Sequence, residues 1–246
     1  MTRKGWQGAV LKVYGGKDFQ VRVMHVEPVT EGFVRLRMQG AELLEAAGWH
    51  PTMWVRLWFT DDRGKPHQRA YTVIDPLDDG SFAIEVHVHD GPAARTLAGA
   101  RPGQVLDATL QGTGFEVPDG EVDHVHLVGD AASVPAIRTV LEALPSTPAT
   151  VWLEQQDVSE AGIPLIDRAD VTVHRVDRTG EGDGTPLVRG VTAAWSQRAA
   201  SGTDLSREWF WLAPEAAACR VLGKHLRKEL EVPKDRVTAL AYWRLA

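Results

Sequence analysis

Cysteine is nearly absent: Cys219 is the only one in 246 residues. One thiol excludes an internal disulfide, a cysteine-ligated iron–sulfur cluster and a structural cysteine-type zinc site. If electrons move in this protein, an organic cofactor has to carry them. Long apolar runs are missing as well, and the basic opening "MTRKGWQGAVLKVYGG" has an apolar run far too short for a secretion signal. The expectation is a cytoplasmic protein without membrane insertion. Basic clusters are also lacking. The formal net charge is -6, whereas a nucleic-acid binder needs a clustered cationic face, so any anion site must be local. There is no serine-hydrolase elbow, zinc-protease helix or Walker loop. "GTG" at Gly112 to Gly114 opens no helix, and "GEGDG" at Gly180 to Gly184 reads as an acidic loop; neither is a dinucleotide fingerprint.

What is present describes a folded protein of one or two domains, with 43% hydrophobic and 24% charged residues. From Phe19 to about Leu110 short strands are divided by turns: "FQVRVMHVEPV", "FVRLRMQG", "MWVRLWF", "RAYTVID", "FAIEVHVHD" and "VLDATL". Gly, Pro and Asp punctuate them, which predicts an antiparallel six-stranded β-barrel. Two helix-like segments interrupt it, "AELLEAAG" and "GPAARTLAGA". After "GTGFEVPDGEVD" strand and helix alternate: "HVHLVGD", "SVPAIRTVLEALP", "ATVWLEQQD", "DVTVHRVD", "PLVRGVTAAWSQRAA", "EWFWLAP", "EAAACRVLGKHLRKEL" and a last strand "VTALAYWR". That alternation predicts a parallel, Rossmann-like α/β domain. The expected class is β + α/β, with domains at residues 17–116 and 121–246.

Three short segments carry possible chemistry. In "HQRAYTVID", read as the start of a strand, Arg69 and Tyr71 share one face and Thr72 takes the other. A cation, an aromatic plane and a hydroxyl together suit a flat, phosphate-bearing ligand, and are also ordinary strand residues. In "LVGDAASVPAI" Gly129 permits a sharp turn, while Ala131, Ala132 and Ser133 leave a helix N-terminus open to an anion; a plain βα connection reads the same way. "HDGPAARTLAG" repeats the theme before a short helix. His87 with His89, and His124 with His126, share strand faces, but no third ligand of suitable spacing follows, and no metal site is expected. Glu154, at the end of the second α/β strand, favours a ribose hydroxyl over a 2′-phosphate.

Four segments in order, "RAYTV" (Arg69 to Val73), "GPAAR" (Gly91 to Arg95), "LVGDAASVPAIRTVLEALP" (Leu127 to Pro145) and "YWR" (Tyr242 to Arg244), carry a resemblance. The chain resembles the siderophore-interacting proteins, FAD-dependent ferric-siderophore reductases of the ferredoxin-reductase-like superfamily. The resemblance implies that the barrel binds FAD and the α/β domain binds NADH or NADPH. Arg69 would bind an FAD phosphate, Tyr71 would pack on the isoalloxazine, and Thr72 would hydrogen-bond near its reactive edge, with Val73 and His89 flanking the cofactor. Gly91, Pro92, Ala93 and Ala94 would receive the pyrophosphate. Gly129, Asp130, Ala131, Ala132 and Ser133 would face the nicotinamide cofactor, and Trp243 would lie near the flavin. Arg56, Lys65 and Arg244 would form a cationic rim for a ferric siderophore. In the family pattern a second arginine usually stands where this chain has Ile74.

The implied activity passes electrons from NAD(P)H, or from an electron-donor protein, through FAD to Fe(III), releasing Fe(II). Two other functions fit the same residues: a flavin reductase with a quinone or protein acceptor, and a non-catalytic siderophore-binding module.

Overall fold

The computed structural model describes residues 16–61, 63–110, 114–156, 158–179 and 184–245. The opening segment, most of "GTG" and residues 180–183 of "GEGDG" lie outside them. The chain divides into two compact units between Phe115 and Glu116.

The first unit holds β1 (Lys17–Thr30), β2 (Phe33–Gln39), α1 (Ala41–Ala47), β3 (Trp54–Thr60), β4 (Pro66–Thr72), β5 (Ser81–His87), α2 (Pro92–Ala98) and β6 (Val105–Leu110). The strands form one six-stranded antiparallel sheet in the order β4-β3-β6-β1-β2-β5. Period-2 alternation turns Val21, Val23, Leu36, Met38, Val55 and Leu57 inward, where Ala93, Ala94 and Leu97 of α2 join them. The two edge strands meet at one place just past β4. Ile74 donates to the Ala83 carbonyl at 2.9 Å and accepts from the Ala83 N–H at 2.7 Å. This corner is braced by Arg35, which pairs with Asp75 at 2.8 Å and Glu85 at 3.1 Å, and by Arg37, which donates to the Asp75 carbonyl at 2.8 Å. Ile74 is 1% exposed, so a side chain that needs water would not sit there.

β4 begins earlier than the sequence suggests, at Pro66 rather than Arg69. Its first residues lack alternation and are recruited by pairing with β3 from Thr60 onward; proline is tolerated because it opens an edge strand. Arg69 to Thr72 therefore end the strand.

The second unit holds β7 (His124–Asp130), α3 (Val134–Ala143), β8 (Ala149–Gln155), β9 (Val171–Asp177), α4 (Thr185–Ala200), β10 (Glu208–Leu212), α5 (Ala216–Lys224) and β11 (Val237–Ala239). The sheet is parallel, in the order β11-β10-β7-β8-β9. Strand order reverses between β7 and β10, and ligands of such sheets bind beyond the carboxyl ends of the strands at that reversal. The last strand is shorter than "VTALAYWR" suggests. Only Val237–Ala239 pair with β10. Beyond them Pro214 interrupts the partner, and the tail continues through isolated bonds such as Ala216 N–H to the Trp243 carbonyl at 3.0 Å. Cys219 is buried under this sheet, its thiol pKa raised by burial. Among the described residues no helix is long and apolar enough to cross a membrane.

At the amino ends of β7 and β10 a buried polar network replaces the ligand pair that His124 and His126 might have suggested. The Trp195 indole donates to His126 Nδ1 at 3.2 Å. His126 Nε2 faces Glu208 at 2.8 Å, and Arg198 completes the carboxylate. The arrangement keeps His126 neutral with its proton on Nε2. Burial lowers the pKa of both histidines. For His124 burial and the charges of His126 and Arg198 bring it down to about 4. Their folded values lie below the unfolded value of about 6.5, so their contribution to stability is complete above that pH and is lost as the pH falls toward the folded values. The denaturation midpoint is expected to drop between pH 6.5 and 4.5, by less in His124→Asn than in the parent chain. Equal drops in the two proteins would contradict this assignment.

Candidate functional site

The end of β4 places the Arg-Tyr-Thr trio by register alone. Tyr71 lies opposite Val55 and Arg69 opposite Leu57, both on the inward face, while Thr72 lies opposite Trp54 on the outward face. At an open sheet edge the inward face is not sealed, and Arg69 remains exposed. The one hydrogen bond of its side chain among the described residues is to the neighbouring Gln68 carbonyl, at 2.9 Å. Tyr71 is half-buried against the core and meets Phe59 edge to face, ring centroids 6.5 Å apart. Burial raises its phenol pKa well above the ordinary value, so it stays neutral. Thr72 is buried. Val73 belongs to the core, and its peptide groups are taken: its N–H donates to Met53 at 2.7 Å and its carbonyl accepts from the Trp49 indole at 3.3 Å.

The turn before α2 lies within electrostatic reach of Arg69. The pKa of His89 is lowered by burial first, then by the charges of His87 and Arg69. Its Nδ1 accepts the Gly91 N–H at 3.0 Å, which puts the ring proton on Nε2. A Cβ at Gly91 would stand 2.4 Å from the His89 ring in its present position. Pro92 opens α2, and Ala93 and Ala94 are buried behind it. Tyr71 packs against the core cluster that includes Ala93 and Ala94, the residues behind the Gly91 turn.

The three expected rim cations are not equivalent. Arg56 lies outward on β3 with its guanidinium carbon 4.7 Å from the centre of the Trp54 ring. Its Nη1 donates to Gln68 at 2.7 Å and its buried Nε has no partner. Lys65 is exposed in the β3–β4 turn. It lies beyond the Thr60–Pro66 pair, roughly 13 Å along the strand from Arg56. Arg244 is exposed on the tail of the second unit.

In the second unit the turn after β7 is filled by its own residues. A Cβ at Gly129 would lie 1.9 Å from Ser133 Oγ and 3.0 Å from Ile137, so glycine is what lets α3 start against the strand. Ser133 Oγ accepts the Asp130 N–H at 2.9 Å, and Asp130 Oδ1 accepts the Ala132 N–H at 3.0 Å. The expected open helix start therefore has fewer free donors than small side chains alone imply. Asp130 Oδ2 accepts the Trp243 indole N–H at 2.6 Å. Burial raises the Asp130 pKa to about 6 against the opposing effect of these bonds.

Two further residues complete this cluster at the carboxyl ends of β7 to β9. Glu154 is 3% exposed and lies beside Asp130 in register. Arg178, just past β9, donates through Nε to Glu154 Oε2 at 2.9 Å and again through Nη2. Its guanidinium lies 5.0 Å from the centre of the Trp243 ring. Arg178 belongs to no sequence motif; its position in the first turn after a strand is the one signal that could have marked it.

A six-stranded antiparallel barrel followed by a parallel five-stranded α/β unit is the architecture of the ferredoxin reductases. The chain superposes with a TM-score of 0.68, at 12% identity, on a ferredoxin NADP+ reductase from Neisseria gonorrhoeae with bound FAD and NADP, covering 92% of this chain and 99% of that one. The chain belongs to the siderophore-interacting protein family, whose pattern it matches over residues 122–246. It is similar in fold to the siderophore-interacting protein SipS from Aeromonas hydrophila, with a TM-score of 0.75 at 22% identity over 93% of this chain and 92% of that one. In sequence it is 35% identical, over 98% of its own length, to the mycobactin import ATP-binding/permease protein IrtA of Mycolicibacterium smegmatis. The chain spans about a quarter of the length of the curated relatives it matches, 27% in that case.

The Gly129 contact sets a stability test. Gly129→Ala is expected to destabilise the protein by about 1–3 kcal/mol through overpacking against Ser133, and Ser133→Ala in the same chain to recover part of the loss. Thermal melts of the three variants measure it; an unchanged melting temperature for Gly129→Ala would contradict the close approach.

Proposed function

We propose that this chain is an FAD-dependent reductase of ferric siderophores that draws its electrons from NADH or NADPH. The observation that carries the proposal is the Arg69–Tyr71 face at the open barrel edge, with Tyr71 packed on the core cluster that holds Ala93 and Ala94 behind the His89–Gly91 turn, in a member of the siderophore-interacting family. These residues fit a flat, phosphate-bearing cofactor. Arg69 offers an exposed guanidinium with little else to bind, Tyr71 offers a neutral ring, and the Gly91 N–H is held only by the exposed His89 imidazole.

Arg69 would bind a cofactor phosphate by charge-assisted hydrogen bonds, and backbone N–H groups of Gly91, Ala93 and Ala94 would take the pyrophosphate. His89 holds the Gly91 N–H in this structure, so the phosphate would replace a neutral imidazole as acceptor. Tyr71 would pack on the ring system and Thr72 would orient its edge. Bound FAD would accept a hydride and release electrons singly, which is what a ferric ion requires. The ferric siderophore is substrate. Reduction weakens the hold of hard oxygen ligands on iron. Such complexes are often anionic, and Arg56, kept over Trp54 and tied to Gln68, is the rim cation with a preset position; Lys65 and Arg244 would contribute longer-range attraction. Asp130 would face the nicotinamide dinucleotide on the second unit.

The purified protein is expected to bind FAD, to bleach on addition of NADH or NADPH, and to regain its colour with a ferric siderophore as a ferrous chelator traps iron. Arg69→Ala should weaken FAD binding about 10-fold or more, the loss of one to two charge-assisted bonds. A protein that stays colourless with excess FAD would overturn the proposal. Recovery of colour with quinones and not with ferric complexes would favour the reductase with another acceptor.

A further inference from the structure

The carboxyl end of β8 carries an unmatched acceptor. Glu154 is 3% exposed, and while its Oε2 is held by Arg178, its Oε1 is buried with no partner. An ionised carboxylate only accepts hydrogen bonds, and an orphaned buried acceptor needs a physical explanation. The free oxygen is directed at Gly184, the residue before α4, where a Cβ would stand 3.7 Å from it. Gly184 has a left-handed φ of 70°, which a glycine adopts freely; the side chain nearest that Cβ position is Ala218, at 3.1 Å, which offers no donor. What the oxygen lacks is a hydroxyl or N–H from outside the described chain.

We propose that Glu154 accepts an adenosine ribose hydroxyl, and that this selects NADH over NADPH as the nucleotide of the second unit. The inference rests on the reading that this unit binds a nicotinamide dinucleotide. Position supports it first: Glu154 ends the second strand of a parallel sheet, beside β7 and its glycine turn, where an acidic residue takes the ribose 2′-hydroxyl in doubly wound folds. Electrostatics supports it independently. A 2′-phosphate at this place would meet the Glu154 carboxylate with Asp130 beside it. Arg178 is the cation that could offset this, and it is already committed, with two donors on Glu154 and its face on Trp243.

The test is equilibrium binding to the full chain, without turnover. NAD+ and NADP+ are titrated while calorimetry and tryptophan fluorescence are followed, Trp243 lying in the cluster. The parent chain should bind NAD+ at least about 10-fold more tightly than NADP+, the effect of one hydrogen bond to a charged group. Glu154→Ala should weaken NAD+ and strengthen NADP+, because Arg178 loses its carboxylate. Glu154→Gln keeps the shape and should narrow the ratio, so the inference stands testable even if the alanine variant fails to fold. Equal or tighter binding of NADP+ by the parent chain would overturn the inference and leave the nicotinamide reading intact. Binding of neither nucleotide at millimolar concentration would overturn that reading and the inference with it.

Discussion

The two hydrogen bonds between Ile74 and Ala83 decide the character of the first unit. They join the edge strands of a six-stranded sheet at one corner and nowhere else along β4. Without them the sheet would be an open, twisted surface with an unprotected edge. A full ladder in their place would bury the inward faces of Arg69 and Tyr71, and an arginine there would need a partner or would not be tolerated. A single bridge, braced by Arg35 and Arg37 on the backbone and side chain of Asp75, gives both a packed interior and a strand end whose inward side chains meet solvent. This also accounts for an apolar residue at position 74, which lies inside the seam.

The second unit is organised differently, by charge rather than by closure. Two buried carboxylates, Asp130 and Glu154, stand side by side at the ends of adjacent strands. The charge of Glu154 adds to the cost of ionising Asp130, and the fold places an indole N–H on one carboxylate and a guanidinium on the other. Trp243 and Arg178 stack on each other in turn, so the four groups form a closed circuit of mutual support. The tail after β11 has little strand pairing of its own, and its position depends on this circuit together with the Glu215 contacts to the backbone at Ala217 and Leu245. A protein with a net charge of -6 thus keeps the exposed guanidinium of Arg69 and this pair of buried carboxylates on separate units.

Much of the fold was legible because periodicity is local. Alternation in "FVRLRMQG" and "MWVRLWF" marks strands that bury one face, and "HVHLVGD" followed by a helical pattern marks a βα unit. The trio Arg69, Tyr71 and Thr72 was legible for the same reason, since strand residues two apart share a face. Three things were not. The start of β4 is set by pairing with β3, so residues 66–68 gave no signal of their own. The tail after Ala239 alternates like a strand but meets Pro214. The Glu154–Arg178–Trp243–Asp130 circuit joins residues from four segments, and Arg178 enters it only because β8 and β9 are neighbours in register. Spacing along the chain could not reveal a partnership made by the sheet.

The burial of Cys219 has a practical side. A thiol raised in pKa and shut under β10 and α5 is a poor nucleophile, and with no second cysteine in the chain it cannot cross-link within the molecule. Any cysteine placed on the surface would be the sole reactive thiol. The two units can then each carry a chosen label, and the distance between them can be read directly in solution as cofactor, nucleotide and iron complex are added one at a time.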